Sequence, residues 1–210
     1  MERDLLPGRG EGKFLPLVEQ FYTLQGEGYH TGKAAYFIRI GGCDIGCRWC
    51  DSKMSWSPGI HKLVPVEEIV KSVLATPAKA VVVTGGEPSL YNLDPLCDAL
   101  KEHKIETFIE TSGAYPLTGT WDWICLSPKR NMHPTPEIYA RANELKVIIY
   151  EDEDMDWAEQ CAERIGKDCL RYLQPEWSRY SVNIGKIVEY AKNHPEWMVS
   201  LQSHKFMRIP

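Results

Sequence analysis

The 210-residue chain has 43% hydrophobic and 25% charged residues and a formal charge of -5 at neutral pH, values typical of one globular domain. Its Lys and Arg residues form no block, so binding to nucleic acid is not expected. The N-terminal stretch is charged and no apolar run approaches the roughly 20 residues of a membrane span, which favours a cytoplasmic protein without membrane contact.

In chain order, residues 1–16 are predicted to form a flexible tail and residues 17–210 a single domain. Runs of β-branched and aromatic residues predict strands at 34–40, 80–85, 106–113, 123–128, 144–150, 169–175 and 197–202. Helical spacing of apolar residues predicts helices between most of them, at 64–75, 93–104, 136–144, 155–166 and 182–194.

Strands and helices therefore alternate along the chain. This order predicts right-handed crossovers and a mainly parallel sheet, either doubly wound or rolled into a barrel. Roughly six or seven strands are too few for a complete barrel of eight units. We therefore predict an α/β fold, a partial (incomplete) parallel β/α barrel of about six strands. Its active site is expected at the C-terminal ends of the strands.

Three cysteines, Cys43, Cys47 and Cys50, follow the first predicted strand. A structural zinc site usually has four protein ligands in two pairs, and no second pair lies nearby. A 4Fe–4S cluster is ordinarily held by four thiolates, so three on one loop leave one iron open for another ligand. The spacing thus favours a cluster over zinc binding or simple packing. The remaining cysteines stand singly in apolar segments and are expected in the core: Cys97, Cys125, Cys161 and Cys169.

The predicted strand 80–85 leads into the segment Thr-Gly-Gly-Glu-Pro. Its glycines allow a ligand to approach the backbone closely, although the segment also suits a simple strand-ending turn. Polar residues lie at the ends of later predicted strands, or near the start of one, and in a parallel sheet such residues face a shared cleft. They are Thr111, Ser112, Ser127, Lys129, Lys146 and Gln174.

The Cys-x3-Cys-x2-Cys spacing resembles that of the radical S-adenosylmethionine superfamily, and Thr-Gly-Gly-Glu-Pro looks like its glycine-rich motif. The resemblance implies that the three cysteines hold a 4Fe–4S cluster in a radical SAM core. It also implies that the amino and carboxylate groups of S-adenosylmethionine chelate the fourth iron. By the same resemblance, Gly85, Gly86 and Glu87 hold the amino group of this cofactor. Its carboxylate, ribose and adenine are then surrounded by Thr111, Ser112, Ser127, Lys129, Lys146 and Gln174.

Candidate residues for a second substrate lie near both ends of the chain. Gln25 and Glu27 precede the first predicted strand, Arg39 ends it, and His204 lies on or after the last one. An amide, a carboxylate and a guanidinium in one cleft would suit a flat heterocycle that has amide-like edges and a carboxylate. Alternatively, Arg39 pairs within the protein and His204 is a surface residue.

Five segments together are similar to the 7-carboxy-7-deazaguanine synthases: Leu-Gln-Gly-Glu-Gly, Arg-x3-Cys, Cys-Asp-Ser, Thr-Gly-Gly-Glu-Pro and a terminal Leu-Gln-x-His-Lys. These enzymes convert 6-carboxy-5,6,7,8-tetrahydropterin to 7-carboxy-7-deazaguanine with loss of ammonia, in the route to 7-deazapurines such as queuosine. The resemblance implies no catalytic residue beyond the cluster-bound cofactor. It implies that the pterin is held by Gln25, Glu27, Arg39, Thr84, His204 and Pro210.

The same resemblance implies a Mg2+ site, which family members form with a threonine after the Cys-Asp pair. This chain has Ser52, and serine keeps the hydroxyl oxygen that a hard cation prefers. Asp51 beside it is expected to assist. The resemblance further implies a flavodoxin or ferredoxin as reductant and assembly as a homodimer.

Two other functions also suit parts of the pattern. A glycyl-radical-enzyme activating protein would share the cysteine spacing but would need a surface for a protein partner. An iron–sulfur electron carrier would normally have a fourth cysteine ligand and would leave the glycine-rich segment unexplained.

Overall fold

The structure is a computed structural model that describes residues 10–210; residues 1–9 of the predicted tail lie outside it. In the described part, the strands are β1 (Phe14–Leu24), β2 (Ala34–Ile40), β3 (Lys62–Pro65), β4 (Ala80–Gly85), β5 (Glu106–Thr111), β6 (Trp123–Leu126), β7 (Glu144–Ile149), β8 (Leu170–Pro175) and β9 (Trp197–Val199). The helices are α1 (Val66–Leu74), α2 (Asp94–Glu102), α3 (Pro136–Arg141), α4 (Glu153–Ala162), α5 (Tyr180–Asn193) and α6 (Ser203–Met207).

The strands form one sheet in the order β3-β1-β2-β4-β5-β6-β7-β8-β9. The seven strands from β2 to β9 in this order are parallel, while β1 and β3 pair antiparallel at one edge. The sheet does not close, because β3 and β9 remain at opposite ends. The predicted partial parallel barrel is therefore confirmed, and each predicted strand has a counterpart.

Two strands, β1 and β3, and one helix, α6, were not expected from the sequence. β1 begins at Phe14, within the predicted tail, and its register with β2 shifts between Leu17 and Glu19. Such a bulge interrupts the alternation of apolar and polar residues by which a strand is recognised. β9 ends at Val199, before the end of the predicted strand, and α6 follows it. His204, predicted on or after the last strand, therefore lies after it, in α6.

The two faces of the parallel strands have different neighbours. Val81 and Val83 of β4 belong to the main core that includes helix residues such as Leu96, whereas Ala80 and Val82 pack with Phe108 in a second, smaller cluster. Because side chains alternate along a strand, this second face becomes the inside of the barrel. None of the helices among residues 10–210 is long and apolar enough to cross a membrane.

Candidate active site

The inside of the barrel changes from apolar to polar along the strands. Phe37, Val82 and Phe108 pack together near the lower end of the barrel, and two residues further along come Arg39, Thr84 and Glu110. These three line a cleft of about 300 Å³ at the C-terminal ends of the strands. The alternation of side chains along each strand thus places charged groups above an apolar floor.

Every site residue proposed from the sequence lines this one cleft. The set comprises Gln25, Glu27, Arg39, Cys43, Cys47, Cys50, Asp51, Ser52, Thr84, Gly85, Gly86, Glu87, Thr111, Ser112, Ser127, Lys129, Lys146, Gln174, His204 and Pro210. The cysteine, glycine-rich and C-terminal segments, which are far apart in sequence, therefore share one site. Which ligand atoms each residue contacts stays a prediction.

The cysteine loop, residues 43–50, is fixed at its base by backbone hydrogen bonds. The Gly42 amide donates to the Ser55 carbonyl at 2.6 Å, and the Cys43 amide donates to that of Trp56 at 3.0 Å. All three thiols are partly exposed to the cleft. Burial raises the pKa of Cys43 to about 11 and also raises the pKa of Cys47, so binding of iron would release protons.

The donor set and its position fit a cluster. Three thiols line the same cleft, and the half-buried Lys129 opposes the rise in the Cys47 pKa through its positive charge. Among residues 10–210, no three His, Cys, Asp or Glu side chains are arranged to hold a single metal ion. A cluster makes a different demand, because each thiolate binds its own iron. The other cysteines are buried free thiols, as expected: Cys97, Cys125, Cys161 and Cys169.

The two glycines after β4 are required by the protein's own packing. Gly85 has a φ of +141°, and a Cβ there would lie 2.0 Å from the Ile40 carbonyl oxygen. A Cβ on Gly86 would lie 2.2 Å from the carbonyl oxygen of Gly42. The glycine-rich segment can therefore lie directly against the base of the cysteine loop. The sequence predicted that these glycines let a ligand approach the backbone. In the structure they also let the backbone at Gly85 and Gly86 approach the backbone of Ile40 and Gly42.

Glu87 holds this segment to the end of β5. Its side chain is 1% exposed, and its carboxylate accepts hydrogen bonds from both the amide and the hydroxyl of Ser89. The Thr111 hydroxyl and the Ser112 amide and hydroxyl donate to the same carboxylate. Because the hydroxyl groups of Thr111 and Ser112 donate to Glu87, these two residues can offer a ligand only backbone atoms and the lone pairs of their hydroxyl oxygens.

A buried ammonium lies at the centre of the opposite wall. Lys146 Nζ is 2.6 Å from Glu27 Oε2 and 2.8 Å from Glu110 Oε2, and its side chain is 2% exposed. The sequence interpretation assigned Lys146 to the cofactor, and this assignment stays a prediction; in the structure its ammonium contacts Glu27, a predicted substrate residue. Gln25 donates to Glu110 at 3.2 Å, so four side chains form one network.

Mutual pairing decides the charges of this network. Burial alone would raise the pKa of Glu27, but the Lys146 charge and hydrogen bonds outweigh it and lower the pKa to about 2. Burial likewise opposes the charged form of Lys146, whereas the surrounding acidic groups hold its pKa well above the ordinary value. Both residues are thus ionised at neutral pH, and Glu27 is a hydrogen-bond acceptor and a poor base.

Arg39 and Asp51 lie where the cysteine loop ends. The Arg39 guanidinium donates to Ser52 Oγ at 3.1 Å and pairs with Glu19 at 2.7 Å, so it does form the internal pair considered as an alternative. The Asp51 carboxylate accepts from Lys205 at 3.2 Å. The C-terminal segment therefore reaches across the cleft to the residue next to Ser52.

His204 is carried into the cleft by α6. The amide of Ser203 donates to the Gly26 carbonyl at 2.8 Å, and a Cβ on Gly26 would lie 2.2 Å from His204 Nδ1. Glycine at this position thus lets the imidazole pack on the β1–β2 loop. Burial lowers the pKa of His204, which favours the neutral ring at pH 7. The Pro210 carbonyl accepts from Thr23 and so also lies at the cleft.

Three further polar residues of the cleft were missed: Glu110, Glu176 and Gln202. Glu110 precedes the predicted Thr111 and Ser112, and its inward position could have been read from its spacing of two from Phe108. Gln202 donates to Glu27 Oε1 at 2.9 Å. It belongs to the same terminal Leu-Gln-x-His-Lys segment as His204, so the segment itself was the available signal.

Comparison with known proteins gives a consistent picture. Residues 37–126 match the family described as the radical SAM superfamily. The chain is 52% identical to the 7-carboxy-7-deazaguanine synthase of Flavobacterium psychrophilum, covering 95% of each chain. It is 48% identical to that of Synechocystis sp., covering 92% of this chain and 93% of the relative. The crystal structure of QueE from Escherichia coli aligns with a TM-score of 0.81 at 30% identity, over 93% of this chain and 96% of that one.

Proposed function

This chain belongs to the 7-carboxy-7-deazaguanine synthase family of radical S-adenosylmethionine enzymes, and we propose that its cleft performs the reaction of that family. The enzyme converts 6-carboxy-5,6,7,8-tetrahydropterin to 7-carboxy-7-deazaguanine and releases ammonia, in 7-deazapurine (queuosine) biosynthesis. The observation that carries this function is the convergence of the three cysteines, the glycine-rich segment and the Lys146 network in one cleft. The relatives do not support a glycyl-radical-enzyme activating protein.

One wall of the cleft is proposed to bind the cofactors. When bound and reduced, a 4Fe–4S cluster supplies the electron that cleaves S-adenosylmethionine into methionine and a 5′-deoxyadenosyl radical. Cys43, Cys47 and Cys50 would hold the cluster, and the glycine-rich segment would lie beside its open iron. The Lys129 ammonium is held by the carbonyl and hydroxyl oxygens of Ser127 at 2.5 and 2.7 Å, and its charge opposes the rise in the Cys47 pKa, which supports a place for both residues beside the cysteine loop.

The opposite wall is proposed to hold the pterin. Its carboxylate would pair with Arg39, whose Nη1 contacts a neutral hydroxyl while its Nε pairs with Glu19. The amino and N–H groups of the pterin edge need acceptors, and Glu27 is an acceptor that stays ionised because of Lys146. We place the remaining predicted contacts around the same ring: Gln25, Thr84, His204 and Pro210.

We also propose that Mg2+ binds beside Ser52. Mg2+ keeps several waters and takes few protein oxygens, so a single hydroxyl together with the substrate carboxylate suits it. In the described structure Ser52 Oγ accepts only from Arg39 among the bonds found, which leaves a lone pair towards the cleft. The pairing of Asp51 with Lys205 supports an indirect role for Asp51, through the position of the neighbouring Ser52.

The remaining proposals concern the surroundings of the enzyme. A flavodoxin or ferredoxin is proposed as the reductant, and a homodimer as the assembly, on the basis of the family resemblance. Light scattering of the purified protein tests the assembly. The cytoplasmic location expected from the sequence stays a prediction.

The function is tested by an anaerobic assay. The protein is reconstituted with iron and sulfide and mixed with reductant, Mg2+, S-adenosylmethionine and 6-carboxytetrahydropterin, and products are followed by mass spectrometry. We expect 7-carboxy-7-deazaguanine only when S-adenosylmethionine is present. Formation of 5′-deoxyadenosine without the deazaguanine would support the proposed radical chemistry but contradict the proposed substrate.

A further inference from the structure

Two of the three cysteines lie on the part of the cysteine loop farthest from its base. Cys47 and Cys50 are joined by a tight turn in which the Cys50 amide donates to the Cys47 carbonyl at 3.0 Å. The base of the loop is fixed to the segment that follows it, at Ser55 and Trp56. The distal part has no regular secondary structure, so its position depends on contacts with other loops.

One such contact is a carboxylate shared by two arginines. Arg48, between the two distal cysteines, places Nη2 at 2.6 Å from Glu151 Oε2. Arg130 Nη1 is 3.0 Å from the other oxygen of the same carboxylate. The Arg48 guanidinium also lies 4.9 Å from the centre of the Tyr150 ring. Glu151 thus joins the cysteine loop to the loops that follow β6 and β7.

Glu151 is itself held in place. Asp154 Oδ2 accepts from the backbone amides of Tyr150 and Glu151, both at 2.9 Å, and Asp154 Oδ1 lies 3.2 Å from Arg130. The Asn131 side chain, next to Arg130, donates to the carbonyl of Ile45 in the cysteine loop. Two more contacts join the cysteine loop to its neighbours: the Tyr115 hydroxyl donates to Asp44, and Lys129 Nζ lies 5.7 Å from the centre of the Trp49 ring. Glu151 therefore provides one of several contacts that hold the cysteine loop, namely the ion pair with Arg48 between the two distal cysteines.

We propose that Glu151 is a positioning residue that clamps Arg48 and Arg130, and so slows the loss of iron from a cluster held by Cys47 and Cys50. The inference rests on the proposed function, since it assumes the cluster. In this proposal Glu151 does not contact the substrate or the cofactor. Its effect acts through the position of the two distal cysteines.

The expected increase in the rate of iron release is modest, because the side chains of the clamp are exposed to solvent. The side chains of Arg48, Glu151 and Arg130 are 65%, 40% and 44% exposed, and exposed ion pairs contribute little to global stability. Loss of both pairs at once is expected to open the loop more often and to speed iron release about three- to tenfold. Salt should have the same effect on the wild type, because it screens exposed charges.

The test measures iron release from the anaerobically reconstituted protein to a chromogenic Fe(II) chelator. Glu151→Gln is compared with Asp152→Asn, which removes one negative charge from the same turn. Asp152 pairs with Lys186 and makes no side-chain cap for α4, so it is a matched control. We expect release about three- to tenfold faster for Glu151→Gln at low salt and unchanged for Asp152→Asn.

Two further measurements separate the clamp from a general loss of structure. In ~1 M NaCl, where the Debye length is about 3 Å, the wild type should approach the rate of Glu151→Gln while that variant changes little. Arg48→Met removes only the pair that reaches the cysteine loop, so it should speed iron release by no more than Glu151→Gln does. The double variant should be no faster than Glu151→Gln, because that variant already lacks the Arg48 pair. Visible circular dichroism of the bound cluster should change for Glu151→Gln and not for Asp152→Asn.

Equal release rates for the wild type and Glu151→Gln would overturn the clamp, as would an equally fast Asp152→Asn variant. If Glu151→Gln folds poorly, Arg48→Met replaces it, since Arg48 makes no backbone contact in the network. A failure of the clamp can be distinguished from a failure of the proposed function by whether the wild-type protein binds a cluster. A wild-type protein that takes up no cluster would contradict the function, whereas a stable cluster with unchanged release contradicts the clamp alone.

Discussion

The two walls of the cleft are organised differently. On the cysteine wall, burial raises the pKa of Cys43 and Cys47, which favours their uncharged thiols, and an exposed ion pair between Arg48 and Glu151 holds the distal part of the loop. The Lys146 wall has ionised groups that are already paired inside the protein at 2.6 and 2.8 Å. The Lys146 wall, proposed to bind the substrate, is therefore preorganised by pairing within the protein, whereas the thiols of the cysteine wall, proposed to bind the cofactors, have no such charged partners at hydrogen-bond distance in the described residues.

The largest effect is expected for Lys146→Met, which tests whether the Lys146 wall is preorganised by pairing. It leaves Glu27 and Glu110 without their buried cation, and removal of one partner of a buried pair costs about 3–5 kcal/mol. The free energy of unfolding in urea should fall by that amount. Lys205→Met, which removes a more exposed ammonium, is the control. A loss of less than ~1 kcal/mol for Lys146→Met would show that this wall is not preorganised by pairing.

The pH dependence of stability sharpens the same contrast. The pKa of Glu27 is lowered from 4.5 to about 2 in the folded protein, which corresponds to about 3 kcal/mol. Because the folded pKa is depressed, this stability is fully present above the unfolded value and is lost as the pH falls from about 5 towards 2.

Urea titrations across this pH range measure the loss. The wild type should lose about 3 kcal/mol more than Glu27→Gln, whereas Glu68→Gln, at an exposed position on α1, should follow the wild type. Parallel curves for the wild type and Glu27→Gln would contradict the assigned pairing.

On the cofactor wall, Ser52→Ala should affect metal binding without a large effect on folding. Loss of the hydroxyl oxygen should weaken the apparent affinity for Mg2+ roughly tenfold or more, judged from reaction rate against Mg2+ concentration. Ser52→Thr keeps the oxygen and is the matched control. An unchanged Mg2+ dependence in Ser52→Ala would remove Ser52 from the proposed site.

The smallest effect is expected where the C-terminal segment meets the cofactor wall. Lys205→Met removes the 3.2 Å contact with Asp51, and a pair of this kind contributes about 0–1 kcal/mol to stability. Its unfolding midpoint should therefore stay close to that of the wild type. A loss well above ~1 kcal/mol would mean that this contact is part of the preorganised network.

Much of the site could be predicted because its motifs are short. Cys43, Cys47 and Cys50 lie on one loop, so their joint use follows from their spacing. The glycine-rich segment and the strand ends followed from the order of the elements, because parallel strands end at the same edge of the sheet. What could not be predicted was the partner of each polar group. Glu87 is saturated by Thr111 and Ser112, which the sequence had assigned to the cofactor.

The amino-acid sequence alone was sufficient to predict the alternation of strands and helices, the cysteine loop and the polar residues at the strand ends. These features depend on local spacing and on hydrophobic pattern, which act within one element at a time. The pairing of Lys146 with Glu27 and Glu110, and the contacts of Glu151 with Arg48 and Arg130, became visible only in the folded chain. Such pairs form between residues distant in sequence, so they depend on strand register and loop position, which no local pattern encodes.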